Sequence, residues 1–343
     1  MDQLLINVLN GVSAGLLLFM LSSGLTLIFS MMGVLNFAHA SFYMVGAYFA
    51  YSLSRVVGFW PALVLAPLLV GLLGAVFERT ALRRVHKFGH VPELLITFGL
   101  SFVILELVKL VWGLSSMNFP PPELLQGPAF TVMQSDAHGL GLAWGAAPAD
   151  RCTSTADAVM HCSTFPATRF FMMVMAVFML LSLWLLLTRT RIGLVIQASL
   201  THPQTVEALG HNVPRVFMLV FGAGTALAAL AGVIGGALRV TEPSMAQAVG
   251  AVVFAVIVIG GMGSLAGAFV ASVGLGVIES FAVGSDHSIA DGLHALGMAV
   301  TAETFGYAVW SVKLSQIAAI LPYLLLVLIL IFRPKGLFGT REG

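Results

Sequence analysis

Apolar positions run along this chain in long stretches instead of alternating or recurring on one face. Nine stretches stand out, at 4–32, 36–54, 60–80, 92–113, 167–188, 214–238, 246–262, 264–282 and 313–332. A helix needs about 20 mostly apolar residues to cross a bilayer. Open strands cannot satisfy their backbone groups in lipid, and the dyad alternation of a membrane barrel is absent. The pattern predicts an all-α fold, a polytopic transmembrane helix bundle.

Composition narrows this further. Only 9% of the 343 residues are charged, against about 25% in soluble domains. A soluble core of this size needs a charged surface that sixteen Lys/Arg and fifteen Asp/Glu do not supply. The net charge is +1, and no basic cluster is dense enough to follow a phosphate backbone, so nucleic acid is excluded as a partner and membrane lipid is expected. No basic leader precedes the first apolar stretch, so that stretch is expected to remain in the mature protein.

Basic residues set the expected orientation. Ten of the sixteen fall in three places: Arg79, Arg83, Arg84 and Lys87; Arg189, Arg191 and Arg215; and Arg333, Lys335 and Arg341. The positive-inside rule makes these cytoplasmic. Counting crossings outward puts the N-terminus outside, the tail 333–343 inside, and both 114–166 and 283–312 outside. The stretch 114–166 opens with Pro120-Pro121-Pro122 and is rich in small residues, so it reads as an irregular surface loop. Asp291 to Trp310 fits a short interfacial helix or a plain loop. Cys152 and Cys162 both lie in the first of these outer segments. They form a candidate disulfide if that side is oxidising, and two free thiols otherwise.

Two stretches depart from a lipid-facing pattern. The stretch 36–54 follows a break at Gly33 and carries Asn36, His39 and Ser41; the stretch 246–262 begins with Gln247 after Ala246 and ends at Gly260-Gly261-Met262-Gly263. Each precedes an apolar helix that ends in a glutamate, Glu78 or Glu279, where a charge reaches the interface cheaply. The crossing count gives the two units opposite orientations. This predicts inverted repeats with discontinuous helices: a first repeat at 4–113, the outer loop 114–166, and a second repeat at 167–332. Glycine breaks also simply let helices approach closely. Asn36, His39, Ser41 and Gln247 are the candidate pathway-lining groups. His39 either holds the break in shape or offers a polar contact to a permeating solute. Glu106 and Lys109, three apart, are expected to pair.

No catalytic or metal constellation is present. The chain has no HExxH or CxxC, and no Gly-Lys dipeptide for a phosphate loop. It is expected to be no enzyme and to hold no cofactor or metal; any ATP chemistry must reside in another chain. The polar stretch 189–213 is too polar to span the membrane. Within it a short helix is predicted from Pro203 to Leu209, with Thr201 or His202 near its start and Gly210 as C-cap. Such a helix suits a groove in a partner, or is an ordinary connector.

Three blocks carry a family resemblance. They are Asn10-Gly11 through Ser23-Gly24-Leu25-Thr26 and Gly33-Val34-Leu35-Asn36-Phe37-Ala38-His39 to Tyr48; Glu207-Ala208-Leu209-Gly210-His211-Asn212-Val213-Pro214-Arg215-Val216; and Val258-Ile259-Gly260-Gly261-Met262-Gly263-Ser264 to Glu279-Ser280. On these the sequence resembles the LivH-type permease subunits of branched-chain amino acid ABC importers. It departs from the pattern at Ala40, where many members have glycine, at Gln204-Thr205-Val206, and across 114–166. The resemblance implies a second related permease subunit (LivM-like), two cytoplasmic ATPase subunits, a periplasmic or extracellular substrate-binding protein, and a place in the bacterial inner membrane. It implies that Thr201, His202, Gln204, Val206, Glu207, Leu209 and Gly210 form the ATPase-coupling element. Relatives of this fold carry urea, amides, aromatic acids or sugars, and a stand-alone channel or secondary transporter is the rival outside the family.

Overall fold

The structure, a computed structural model, describes residues 2–135, 139–147, 152, 160–295, 297, 301, 304 and 307–339. Asp136, Asp150, Arg151, Asp157, Glu303 and Arg341, and the side chain of Thr201, lie outside the described residues.

The long apolar stretches are helices. They are α1 (Asp2–Met32), α2 (His39–Val57), α3 (Phe59–Phe77), α5 (His90–Trp112), α6 (Ala167–Arg189), α9 (Val213–Leu238), α10 (Met245–Gly260), α11 (Leu265–Val283) and α15 (Leu321–Phe332). Shorter helices are α4 (Arg83–His86), α7 (Arg191–Thr201), α8 (Pro203–Ala208), α12 (Ile289–Ala295), α13 (Tyr307–Trp310) and α14 (Leu314–Ile317). Among the described residues, seven helical spans are long and apolar enough to cross a membrane, including Phe59–His86 and Leu314–Phe332. The chain is a multi-pass membrane protein. Its charge-poor surface is what lipid requires, with Leu68, Leu110 and Phe332 more than half exposed.

The core is made by close helix crossings. α1 packs along α11, and α3 along α9, so each half lends its helices to the other. Small residues permit this: a Cβ on Gly15 would lie 2.6 Å from both Ser272 O and Val273 Cα, and one on Gly46 would meet the Ala229 backbone. α2 lies buried behind these crossings, packed on α9 with Tyr48 fully buried.

The connections define two ends of the bundle. One end gathers residues 83–89, 190–212 and 333–339. The other carries a three-stranded antiparallel sheet: β1 (Pro128–Ser135) in the centre, flanked by β2 (Gly139–Trp144) and β3 (Met160–Pro166). The expectation of an irregular loop over 114–166 is therefore corrected. Short strands with small residues gave no apolar run, yet Val132 and Phe165 are buried beneath the sheet. Cys152 and Cys162 are joined, with Cα atoms 5.9 Å apart. At the same end, the Ser288 backbone and hydroxyl donate to Asp291 Oδ2 at 2.7 and 2.8 Å. Those bonds, the backbone one first, hold the Asp291 carboxyl below its ordinary value.

Candidate functional site

The first break is built from local hydrogen bonds. α1 stops at Gly33, whose φ of +66° favours glycine. The Ala38 amide donates to Asn36 Oδ1 at 3.1 Å, and the His39 amide to Asn36 O at 3.1 Å, which turns the chain into α2. The Phe37 amide donates to Thr97 Oγ1 at 3.2 Å, so α5 pins the turn from outside. His39 Nε2 donates to Leu21 O at 2.9 Å. Leu21 precedes the end of α1 by eleven residues, roughly 16 Å of helix. The chain thus doubles back, and α2 starts deep beside α1 and not at its end.

Asn36 and His39 are buried, at 0% and 1% exposure. The carbonyl partner of Nε2 fixes the imidazole tautomer and makes Nδ1 an acceptor. Asn36 Nδ2, His39 Nδ1 and Thr26 Oγ1 have no hydrogen-bond partner among the described residues. Such orphan groups are expensive, and two of them, on Asn36 and His39, lie at the turn into α2.

The second break follows α9. Residues 239–244 return toward the bundle, and Thr241 pairs with Met117 through two backbone bonds of 2.8 and 3.2 Å. α10 then begins at Met245. It brings Gln247, which is exposed, to the same cavity as Ser41. That cavity, about 320 Å³, lies between α2, α5 and α10; Phe37, Phe98, Phe102 and Ser101 also line it. Phe37 lies 4.7 Å from the Phe254 ring and 6.2 Å from Phe98. Of the four pathway candidates, then, Ser41 and Gln247 share a cavity, while Asn36 and His39 stand behind its wall. Thr97 and Ser101 belong to the site and escaped sequence reading, because a lone hydroxyl in an apolar helix carries no signal of which face it uses.

α10 ends at Gly260. The φ of Gly261 is +101° and of Gly263 +85°. Gly260 itself is helical; a side chain there would strike the Gly267 backbone. The tail closes this end: Leu337 and Phe338 amides donate to Ile259 O and Gly260 O at 2.8 and 3.0 Å, satisfying carbonyls that a helix terminus leaves free.

The other candidate region is the polar end. α8 covers Pro203–Ala208 with Leu209 as its cap residue, and Gly210 follows at φ +88°. The stretch before it is a further helix, α7, capped by Thr190 Oγ1 accepting from the Gly193 amide at 3.1 Å. His202, Gln204, Glu207, Leu209 and Gly210 are exposed, Leu209 at 74%. Val206 points inward at 4% exposure, so it anchors α8 instead of presenting it.

Glu78 does not end its helix, as its position at the end of an apolar run suggested, and it is enclosed. The helix continues through a π turn at Glu78–Leu82 into α4, and Glu78 is 2% exposed. Arg83 grips it, Nε to Oε1 at 3.2 Å and Nη2 to Oε2 at 2.8 Å, and donates from Nη2 to Pro214 O at 2.6 Å. One guanidinium therefore ties the end of α3 to the start of α9. Nearby, His86 and His90 both reach Glu93, which is 2% exposed. Lys109 and Glu106 pair at 2.7 Å. Among the described residues no group of three or more His, Cys, Asp or Glu is placed to hold a metal.

Comparison with known proteins places this arrangement. The family described as branched-chain amino acid transport system / permease component matches residues 7–332. The chain is 26% identical over 344 residues to the high-affinity branched-chain amino acid transport system permease protein BraD of Pseudomonas aeruginosa, covering 97% of this chain and 95% of that one. It is 26% identical over 348 residues to the corresponding LivH protein of Escherichia coli, covering 97% and 94%. A probable branched-chain amino acid transport permease protein LivH of Methanocaldococcus jannaschii is 25% identical over 279 residues, covering 77% and 76%. No solved structure matches the chain. The chain belongs to this permease family, and the match runs from α1 to α15.

Proposed function

We propose that this permease forms half of the translocation pathway of an ATP-driven importer for branched-chain amino acids. The observation that carries the reading is the cavity between α2, α5 and α10, which Ser41 and Gln247 both line. Its lining is neutral and aromatic, which suits transient contact with a zwitterion bearing an aliphatic side chain. Strong fixed charge would slow release. In this reading the chain is two inverted repeats, 4–113 and 167–332, with the N-terminus outside and the tail 333–343 in the cytoplasm. A second related permease covers the open face of α5 and α10. A substrate-binding protein docks at the sheet end, and two ATPases receive α8 through His202, Gln204, Glu207 and Leu209. Thr201 and Gly210 bound that element.

Three contacts support a path from α8 to the cavity. Asn212 Oδ1 accepts from the Arg215 amide at 3.0 Å and caps α9 directly after α8. Arg83 joins the start of α9 to α3. α9 and α2 then meet without intervening side chains at Gly46 and Gly232. A push on α8 is passed to α2 as a rigid-body shift, the two-state element that nucleotide and loaded binding protein both bias.

The test is leucine uptake by the reconstituted four-subunit membrane complex with its binding protein. Gln247→Leu and Ser41→Val are expected to lower uptake about tenfold at unchanged ATPase-subunit binding. Wild-type uptake in both variants contradicts the assignment.

A further inference from the structure

A second polar cavity, of about 360 Å³, opens at the sheet end between α1, α6 and α11. Asn7, Asn10, Arg169, Arg239 and Glu279 line it. In a chain with 9% charged residues, two arginines and a glutamate around one space are a marked concentration. Arg169 is tied to the wall by donating from Nη1 to Asn10 Oδ1. The Ser280 hydroxyl donates to Asn7 O at 2.8 Å and fixes α1 against α11 below it.

The three charges do not neutralise one another by contact. Ion pairs among the described residues join Arg83 to Glu78, His86 and His90 to Glu93, Lys109 to Glu106, and Lys313 to Asp286. Neither arginine reaches Glu279. Glu279, near the end of the membrane span Leu265–Val283, thus stands in the cavity wall without a contacting cation among the described residues. Arginine suits a carboxylate through its planar donor fork, and Glu279 suits an ammonium. A separate cavity of about 120 Å³ shares Arg239 and Glu279 as lining and is otherwise walled by Leu17, Leu18, Val249 and Val252, among others. Oxyanion, ammonium and aliphatic substituent are thus each met by a different wall.

We propose that this cavity is a binding subsite for an aliphatic zwitterion, with its oxyanion on Arg169 and Arg239 and its ammonium on Glu279. A free α-amino acid with an apolar side chain carries this chemistry, and so does a phosphatidylethanolamine headgroup with its acyl chains. The inference deepens the function proposed above, rests on it for the choice of leucine as probe, and lies apart from the α2–α5–α10 cavity.

The test uses the full chain carrying Val283→Cys in nanodiscs of phosphatidylglycerol. Val283 lines the cavity and is 60% exposed, so the rate of its modification by a charged methanethiosulfonate reports occupancy. Leucine at about ten times its half-saturating concentration is expected to slow labelling about tenfold. 4-Methylpentanoate, lacking the ammonium, and isopentylamine, lacking the carboxylate, are expected to leave the rate unchanged. Protection by phosphatidylethanolamine without leucine also supports the subsite and assigns it to lipid. Arg239→Gln and Glu279→Gln are expected to abolish protection at an unchanged unliganded rate, which reports intact folding; Glu106→Gln is expected to keep it. If neither leucine nor phosphatidylethanolamine slows labelling with Arg169, Arg239 and Glu279 intact, or if either variant stays protected, the subsite is refuted. Leucine uptake by the assembled complex, measured in parallel, separates the two ideas: uptake without protection overturns only the subsite, and absent uptake overturns the transport reading.

Discussion

Removing Arg83 tests how the two halves are joined. Arg83→Ala leaves the Glu78 carboxylate, 2% exposed, without its cation, and frees Pro214 O at the start of α9. Breaking a buried pair on one side costs about 3–5 kcal/mol. Arg83 is itself 36% exposed, so water recovers part of this, and about 2–3 kcal/mol is expected. That is roughly a 30- to 150-fold shift in the folded ratio. Glu78→Met combined with Arg83→Met removes both charges and is expected to restore most of the loss, because an apolar substitute for a buried pair is near neutral. Thermal unfolding of the purified single and double variants in detergent reads the stabilities. Leucine uptake reads the link from α9 to α3, which the double variant does not rebuild. Stability rescued with uptake still impaired is the predicted result. A single variant as stable as the wild type, or a double variant less stable than either single one, refutes the reasoning.

Glycine positions give a contrast within one residue type: Gly15→Ala must push α1 from backbone atoms 2.6 Å away and is expected to cost about 1–3 kcal/mol. Gly99→Ala in α5 meets nothing within 4 Å and is expected to gain about 0.5–1 kcal/mol in the same thermal assay. At α8, Leu209→Asp changes a residue 74% exposed and is expected to leave the melting temperature unchanged while abolishing ATPase co-purification. Val206→Asp, at 4% exposure, is expected to lower the melting temperature as well, since it buries an unpaired charge. Converting Cys152 and Cys162 to serine together is expected to leave the membrane helices intact by circular dichroism and to increase proteolysis of residues 128–166 at the sheet end.

The helices were legible because lipid demands uninterrupted apolar length, and nothing else in the chain imitates that pattern. The breaks were legible at Gly33 and at Gly261 and Gly263, where glycine adopts a backbone that other residues resist. What those breaks bring together was not. The bond from His39 to Leu21 O reaches back eighteen residues along the chain, and Ser41 shares a cavity with Gln247, far along the sequence. The start of α2 at His39, three residues beyond Asn36, follows from the Asn36 side chain engaging the Ala38 amide, a choice that composition does not reveal. The polar stretch 189–213 hid α7 because an amphipathic helix at the edge of the bundle has no long apolar run. Glu78 was misplaced for a related reason: hydropathy shows where an apolar stretch ends, while the π turn and Arg83 carry the helix onward under cover.

The central claim is that this chain is a gate worked by ATPases seated at α8. Leu209→Cys, cross-linked in the assembled complex, is expected to capture an ATPase subunit, and leucine is expected to accumulate in proteoliposomes only when that complex hydrolyses ATP. Leucine crossing vesicles that contain this chain alone, with no ATPase present, contradicts it.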